Sequence, residues 1–116
     1  MNIERTESEV SWIYQGELTK IDKGKILGIR DIPSHELILI IYEENNEYPI
    51  LEGINYCGSR RFIFYSRDEV GISDFANHPR IENAILGWIK EDNGYIEYYF
   101  DINVITGKLT KYGRAY

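Results

Sequence analysis

The sequence predicts a mainly β protein: a single antiparallel, sheet-rich domain, either a sandwich or a partly open barrel of about 7–8 strands, with at most one short helix. Three observations carry that expectation. Leu37-Ile38-Leu39-Ile40-Ile41-Tyr42 is an unbroken apolar run, short enough for a strand and apolar on both faces. Ten tyrosines, four phenylalanines and two tryptophans stand against one methionine, a composition that suits pleated surfaces better than helices. From Tyr95 to Ile102 the chain alternates cleanly, with Ile96, Tyr98, Phe100 and Ile102 on one face and Tyr95, Glu97, Tyr99 and Asp101 on the other.

In chain order, Val10, Trp12 and Tyr14 alternate with Ser11 and Gln15, a pattern that Ile13 blurs, and predict a short strand followed by Gly16. An amphipathic helix over residues 3–14 competes, but Thr6, Ser8 and Ser11 give it little propensity. Glu17 to Ile21 and Ile26 to Ile29 are expected to form a hairpin across Asp22-Lys23-Gly24-Lys25. Pro33 then turns the chain and biases Ile32 toward extended geometry.

The apolar run follows, with Leu37, Leu39 and Ile41 on one side and Ile38, Ile40 and Tyr42 on the other. Both sides need cover. The Phe62/Phe64 strand and the Ile96/Tyr98/Phe100 strand are the expected covering elements. Glu43-Glu44-Asn45-Asn46-Glu47 is a polar loop that returns the chain into Tyr48 to Glu52, and Pro49 places the start of that strand nearby. A turn at residues 55–59 leads into a strand from Arg61 to Ser66. Residues 67–79 carry Gly71, Asp74, Asn77 and Pro79 and are expected to be a loop, either functional or simply a surface connection.

Residues 79–92 give contradictory signals. Ile81, Ala84, Ile85, Trp88 and Ile89 have helical spacing, which supports an α+β alternative with a helix at 79–92. Gly87 and the Asp92-Asn93-Gly94 turn favour a strand from Ala84 to Lys90 instead. After the strand at residues 95–102, Thr106-Gly107-Lys108 returns the chain into Leu109 to Tyr112. No internal repeat is visible.

A chain of 116 residues is the size of one domain, and 43% hydrophobic with 28% charged residues is a globular composition. No stretch approaches the roughly 18 apolar residues of a membrane helix, and the acidic start of the chain reads as no secretory signal. Cytoplasmic localisation is the expectation. A single cysteine, Cys57, agrees with a reducing compartment.

The net charge of −6 has a location. Residues 31–59 hold six acids (Asp31, Glu36, Glu43, Glu44, Glu47, Glu52) and no Lys or Arg, whereas the rest of the chain balances thirteen acids against thirteen bases. Such a segment either solvates one end of a strand pair or forms an acidic patch that steers a basic partner. Direct nucleic-acid binding is not expected, since the bases are scattered.

No catalytic residue, metal site or cofactor is predicted. Cys57 matches no nucleophile signature, and His35 and His78 lack the close spacing of a local metal motif. Candidate partner-binding residues are Glu43, Glu44 and Glu47 on the acidic loop, and Tyr95, Glu97, Tyr99 and Asp101 on one strand face. Aromatic rings there supply contact area and acids supply complementarity to Lys or Arg; half-buried cross-strand pairing of Tyr95 and Tyr99 is the plainer explanation.

The expected function is therefore a small protein-binding module with a basic protein partner, most concretely an inhibitor or immunity protein covering the basic site of a toxin such as a nuclease. The alternative is a small-molecule-binding β-barrel or sandwich, which requires a deep pocket containing Trp12, Tyr42, Trp88 or Tyr98.

Overall fold

In the computed structural model, which describes residues 1–115, the apolar run is an inner strand with both faces covered. Eleven strands form three antiparallel sheets. The N-terminal sheet holds β1 (Ile3–Arg5), β2 (Glu9–Tyr14) and β3 (Glu17–Asp22). The central sheet runs in the order β4 (Lys25–Ile32), β5 (Leu37–Glu43), β6 (Ile50–Asn55) and β7 (Arg60–Tyr65). The C-terminal sheet holds β8 (Val70–Phe75), β9 (Ala84–Glu91), β10 (Gly94–Ile102) and β11 (Leu109–Arg114) in sequential order. The mainly β class stands, but the strands are more numerous than expected and arranged as three sheets.

Strand β5 explains the third sheet. Ile38, Ile40 and Tyr42 pack with Val10 and Trp12 of the N-terminal sheet, while Leu37, Leu39 and Ile41 pack with Ile72, Ile85 and Ile102 of the C-terminal sheet. Each such side chain contributes about 1.5–3 kcal/mol when removed from water, so leaving either face open would be costly. One expected cover is corrected. The Phe62/Phe64 strand, β7, lies in the same sheet as β5 and adds its rings beside the second core cluster; β2, not expected as a cover, packs on the Ile38/Ile40/Tyr42 face. A buried bond from the Trp12 Nε1–H to the Tyr56 carbonyl, 2.7 Å, ties the N-terminal sheet to the end of β6.

The expected hairpin across residues 22–25 does not form. Strand β3 pairs with β2 through Tyr14↔Glu17, and β4 pairs with β5. The turn that wins is Gln15-Gly16, with φ of 52° and 80°, the two left-handed residues that match strand twist in a two-residue hairpin. Residues 22–25 instead cross between sheets, where the Lys23 and Ile26 amides donate to the Ser8 and Glu7 carbonyls, both at 2.8 Å.

Residues 79–92 contain no helix. Ala84–Glu91 is a strand paired on both sides, to β10 and to β8, as the turn chemistry favoured. At Gly87 the backbones close up so that a Cβ would lie 2.3 Å from the Gly71 carbonyl oxygen. The loop expected over residues 67–79 is corrected in part, since its middle is β8 with Ile72 fully buried. Gly71 and Asp74 hid it: the first makes room for a neighbour's ring, and the second adjoins a register shift between Ile72 and Asp74. Pro33–His35 forms one 3-10 turn. Among the described residues, no helix is long and apolar enough to cross a membrane.

Candidate partner-binding face

The acidic loop joins β5 to β6. Asn45 and Asn46 both adopt left-handed backbone, φ 55° and 58°, which asparagine tolerates better than most residues. The Glu47 amide donates to the Glu44 carbonyl at 3.0 Å and closes the tip. Glu44 and Glu47 are exposed there, and Glu43, half-buried, ends β5 opposite Lys25 of β4.

Beside this tip lies an open groove of about 620 Å³, lined by Glu43, Asn46, Glu47, Tyr48, Pro49, Ile50, Tyr65 and Ser66. Tyr48 and Tyr65 are 48% and 57% exposed. Tyr65 enters through the register, because it sits opposite Ile50 across the β6–β7 pair. The groove floor is fixed from behind: the Ser66 amide donates to the Pro49 carbonyl at 3.2 Å, and the Ser66 hydroxyl accepts from the Ile72 amide at 3.0 Å.

Tyr48 also reaches the outward face of the C-terminal sheet. Its ring lies 5.8 Å from that of Trp88, and its hydroxyl donates to Asp68 Oδ1 at 3.2 Å. The Tyr95 hydroxyl donates to the same oxygen, and Lys90 Nζ pairs with Asp68 Oδ2 at 2.7 Å. The Lys90 and Tyr95 hydrogen bonds hold the Asp68 carboxyl below its usual range. In turn, the Asp68 charge raises Tyr48, the hydrogen bond to Asp68 raises Tyr95, and the same carboxylate raises Lys90.

The structure therefore brings the acidic loop and Tyr95 to one end of the molecule, through Tyr48 and Asp68. The rest of the predicted strand face runs away from it. Asp101 is six residues beyond Tyr95 on β10, about 20 Å along an extended strand. Glu97 sits opposite Trp88 and is half-buried. Tyr99 packs edge-on against His78 at 4.9 Å between centroids, and His78 packs against Tyr112 at 5.0 Å. Tyr95 and Asp101 are exposed.

Two acids of the 31–59 segment are engaged within the fold, Glu52 buried and Asp31 half-buried. Glu52 is 3% exposed on β6 and accepts from the Tyr42 hydroxyl at 2.8 Å, Lys23 Nζ at 3.0 Å and Arg60 Nε at 2.9 Å. Burial raises its pKa, but the three donors outweigh burial and leave it below the ordinary carboxylate value. Asp31 accepts the Tyr56 hydroxyl at 2.5 Å. Tyr48, Tyr65, Asp68, Trp88 and Lys90 were not legible as members of the face, because their meeting depends on how two sheets pack.

Cys57 is exposed in the β6–β7 turn with its Sγ 3.2 Å from the Ser59 hydroxyl, which lowers its pKa. His78 Nδ1 accepts the Arg80 amide at 3.0 Å. Among the described residues, no group of three or more His, Cys, Asp or Glu side chains is placed to hold a metal ion. Comparison of the chain with protein-family models, curated proteins and solved structures gives no match.

Proposed function

We propose that this chain is a small protein-binding module that meets a basic partner through the acidic end of the β5–β6 hairpin, most concretely as an inhibitor or immunity protein covering the basic site of a toxin such as a nuclease. The observation that carries the reading is the groove beside that end, where Glu43 and Glu47 stand with two exposed tyrosines, Tyr48 and Tyr65. Acids steer a basic protein and raise its association rate. Tyrosines anchor an interface because they bring large contact area at small entropic cost.

The alternative, a carrier of small molecules, asks for an aromatic-lined pocket. Trp12, Tyr42 and Tyr98 are 2%, 2% and 7% exposed, and their polar tips bond internally to Tyr56, Glu52 and Glu91. Trp12 borders a groove of about 380 Å³ on the N-terminal sheet with Asn2, Glu4, Ser11, Ile13 and Leu18, but contributes almost no surface to it. That distribution favours the binding-module reading.

The test is kinetic. A basic partner recovered by cross-linking from the native host associates more slowly as salt rises, and more slowly still with the Glu43→Gln/Glu44→Gln/Glu47→Gln variant. An association rate that the triple variant leaves unchanged contradicts the electrostatic reading.

A further inference from the structure

Acidity alone does not single out the groove, since acids are spread over much of the surface. Its aromatic walls do. Tyr48 and Tyr65 stand with Pro49 and Ile50 as an apolar lining, and Glu43 and Glu47 supply the carboxylates. Neither Lys nor Arg lines it. Among the described residues, Glu43 and Glu47 take part in no ion pair, whereas Glu52 on the same sheet is held by two cations. The groove thus has unspent acceptor capacity beside flat rings.

Resting on the reading above, we propose that this groove receives an arginine side chain presented by the basic partner, its guanidinium lying against a tyrosine ring and its N–H groups donating to Glu43 and Glu47. A guanidinium is planar, weakly hydrated and stacks on aromatic faces while its fork pairs with carboxylates; a lysine ammonium is compact and strongly hydrated, and gains less from such walls. The methylene stem covers Pro49 and Ile50.

The groove is also prepared for an occupant. Tyr48 is held by Asp68 and by the Trp88 ring, so this wall needs little ordering on binding, which is where affinity is commonly lost. The volume is within the roughly 300–1,000 Å³ of ligand clefts, yet those bury most of a small ligand's surface. An open groove cannot do so. A side chain delivered by a folded partner needs no such enclosure, because the partner's own surface closes the open side.

The experiment titrates the ¹⁵N-labelled full chain with N-acetyl-Gly-Arg-Gly-amide and N-acetyl-Gly-Lys-Gly-amide at low salt. The arginine peptide is expected to shift the amides of Glu47, Tyr48, Tyr65 and Ser66 saturably and to bind about 5-fold more tightly than the lysine peptide, the size of one cation–π contact. Tyr65→Ala and Glu43→Gln/Glu47→Gln should each weaken the arginine peptide about 5–10-fold, while Tyr65→Phe should retain it. Equal affinity for the two peptides, or shifts centred elsewhere, overturns the arginine proposal. Hexalysine separates the two readings. If it binds in a salt-sensitive way that the Glu43/Glu44/Glu47 triple variant abolishes, the acidic-face reading survives the loss of the arginine proposal; if hexalysine and the arginine peptide both fail to bind, the two fall together.

Discussion

Tyr48 and Trp88 pack with ring centroids 5.8 Å apart although one belongs to the acidic loop of the central sheet and the other to the outward face of the C-terminal sheet. That contact, with Asp68 accepting from both Tyr48 and Tyr95, makes one continuous aromatic surface from two sheets.

Asp68→Ala should release it. Tyr48 and Tyr95 lose the carboxylate that raises their pKa values, so both should titrate nearer the ordinary tyrosine value of about 10. An absorbance titration of the phenolates would show more tyrosines ionising in that range, and Trp88 emission would change as Tyr48 leaves its ring. Unchanged titration and emission would mean that Asp68 does not hold the pair.

Glu52 gives a pH prediction. Its folded pKa lies below the unfolded value of about 4.3, so its contribution is fully present above that value and is lost as pH falls through the folded pKa. Glu52→Ala should cost about 3 kcal/mol at neutral pH by leaving the Lys23 ammonium and Tyr42 hydroxyl without their acceptor. Urea denaturation from pH 7 to pH 3 checks both points: the variant should lose less stability on acidification than the parent.

Opposite faces of β5 should matter equally. Leu39→Ala and Ile40→Ala empty different core clusters, and each should cost about 2–5 kcal/mol in urea denaturation. A strand covered on one face only would tolerate one of the two.

Gly71 lies under the Trp88 ring, where a Cβ would come within 2.1 Å of a ring carbon. Gly71→Ala should destabilise by about 1–3 kcal/mol through overpacking. In Trp88→Ala the same change should cost much less, and a thermal double-mutant cycle measures that coupling.

How far the face was legible follows the range of the interactions. Glu44 and Glu47 could be picked out because a loop between two strong strands is exposed whatever packs around it, whereas Glu43, expected on the same loop, is the half-buried last residue of β5. Tyr95 and Tyr99 could be placed on one strand face by alternation, yet alternation does not say that the first meets Asp68 and the second His78. Tyr65 gave no local sign of lining a groove.

By itself the sequence determined the mainly β character and the two-faced character of β5, and it favoured the Asp92-Asn93-Gly94 hairpin over a helix, because side-chain alternation, uninterrupted apolar runs and turn residues act within a few positions. It also located the charge imbalance. The tertiary structure alone decided that β3 pairs with β2 rather than β4, that β8 exists, and that Glu52 is an internal ion while Glu47 remains on the surface. Those outcomes turn on which sheet covers which face and on close backbone approach, and such contacts form between residues that pattern cannot link.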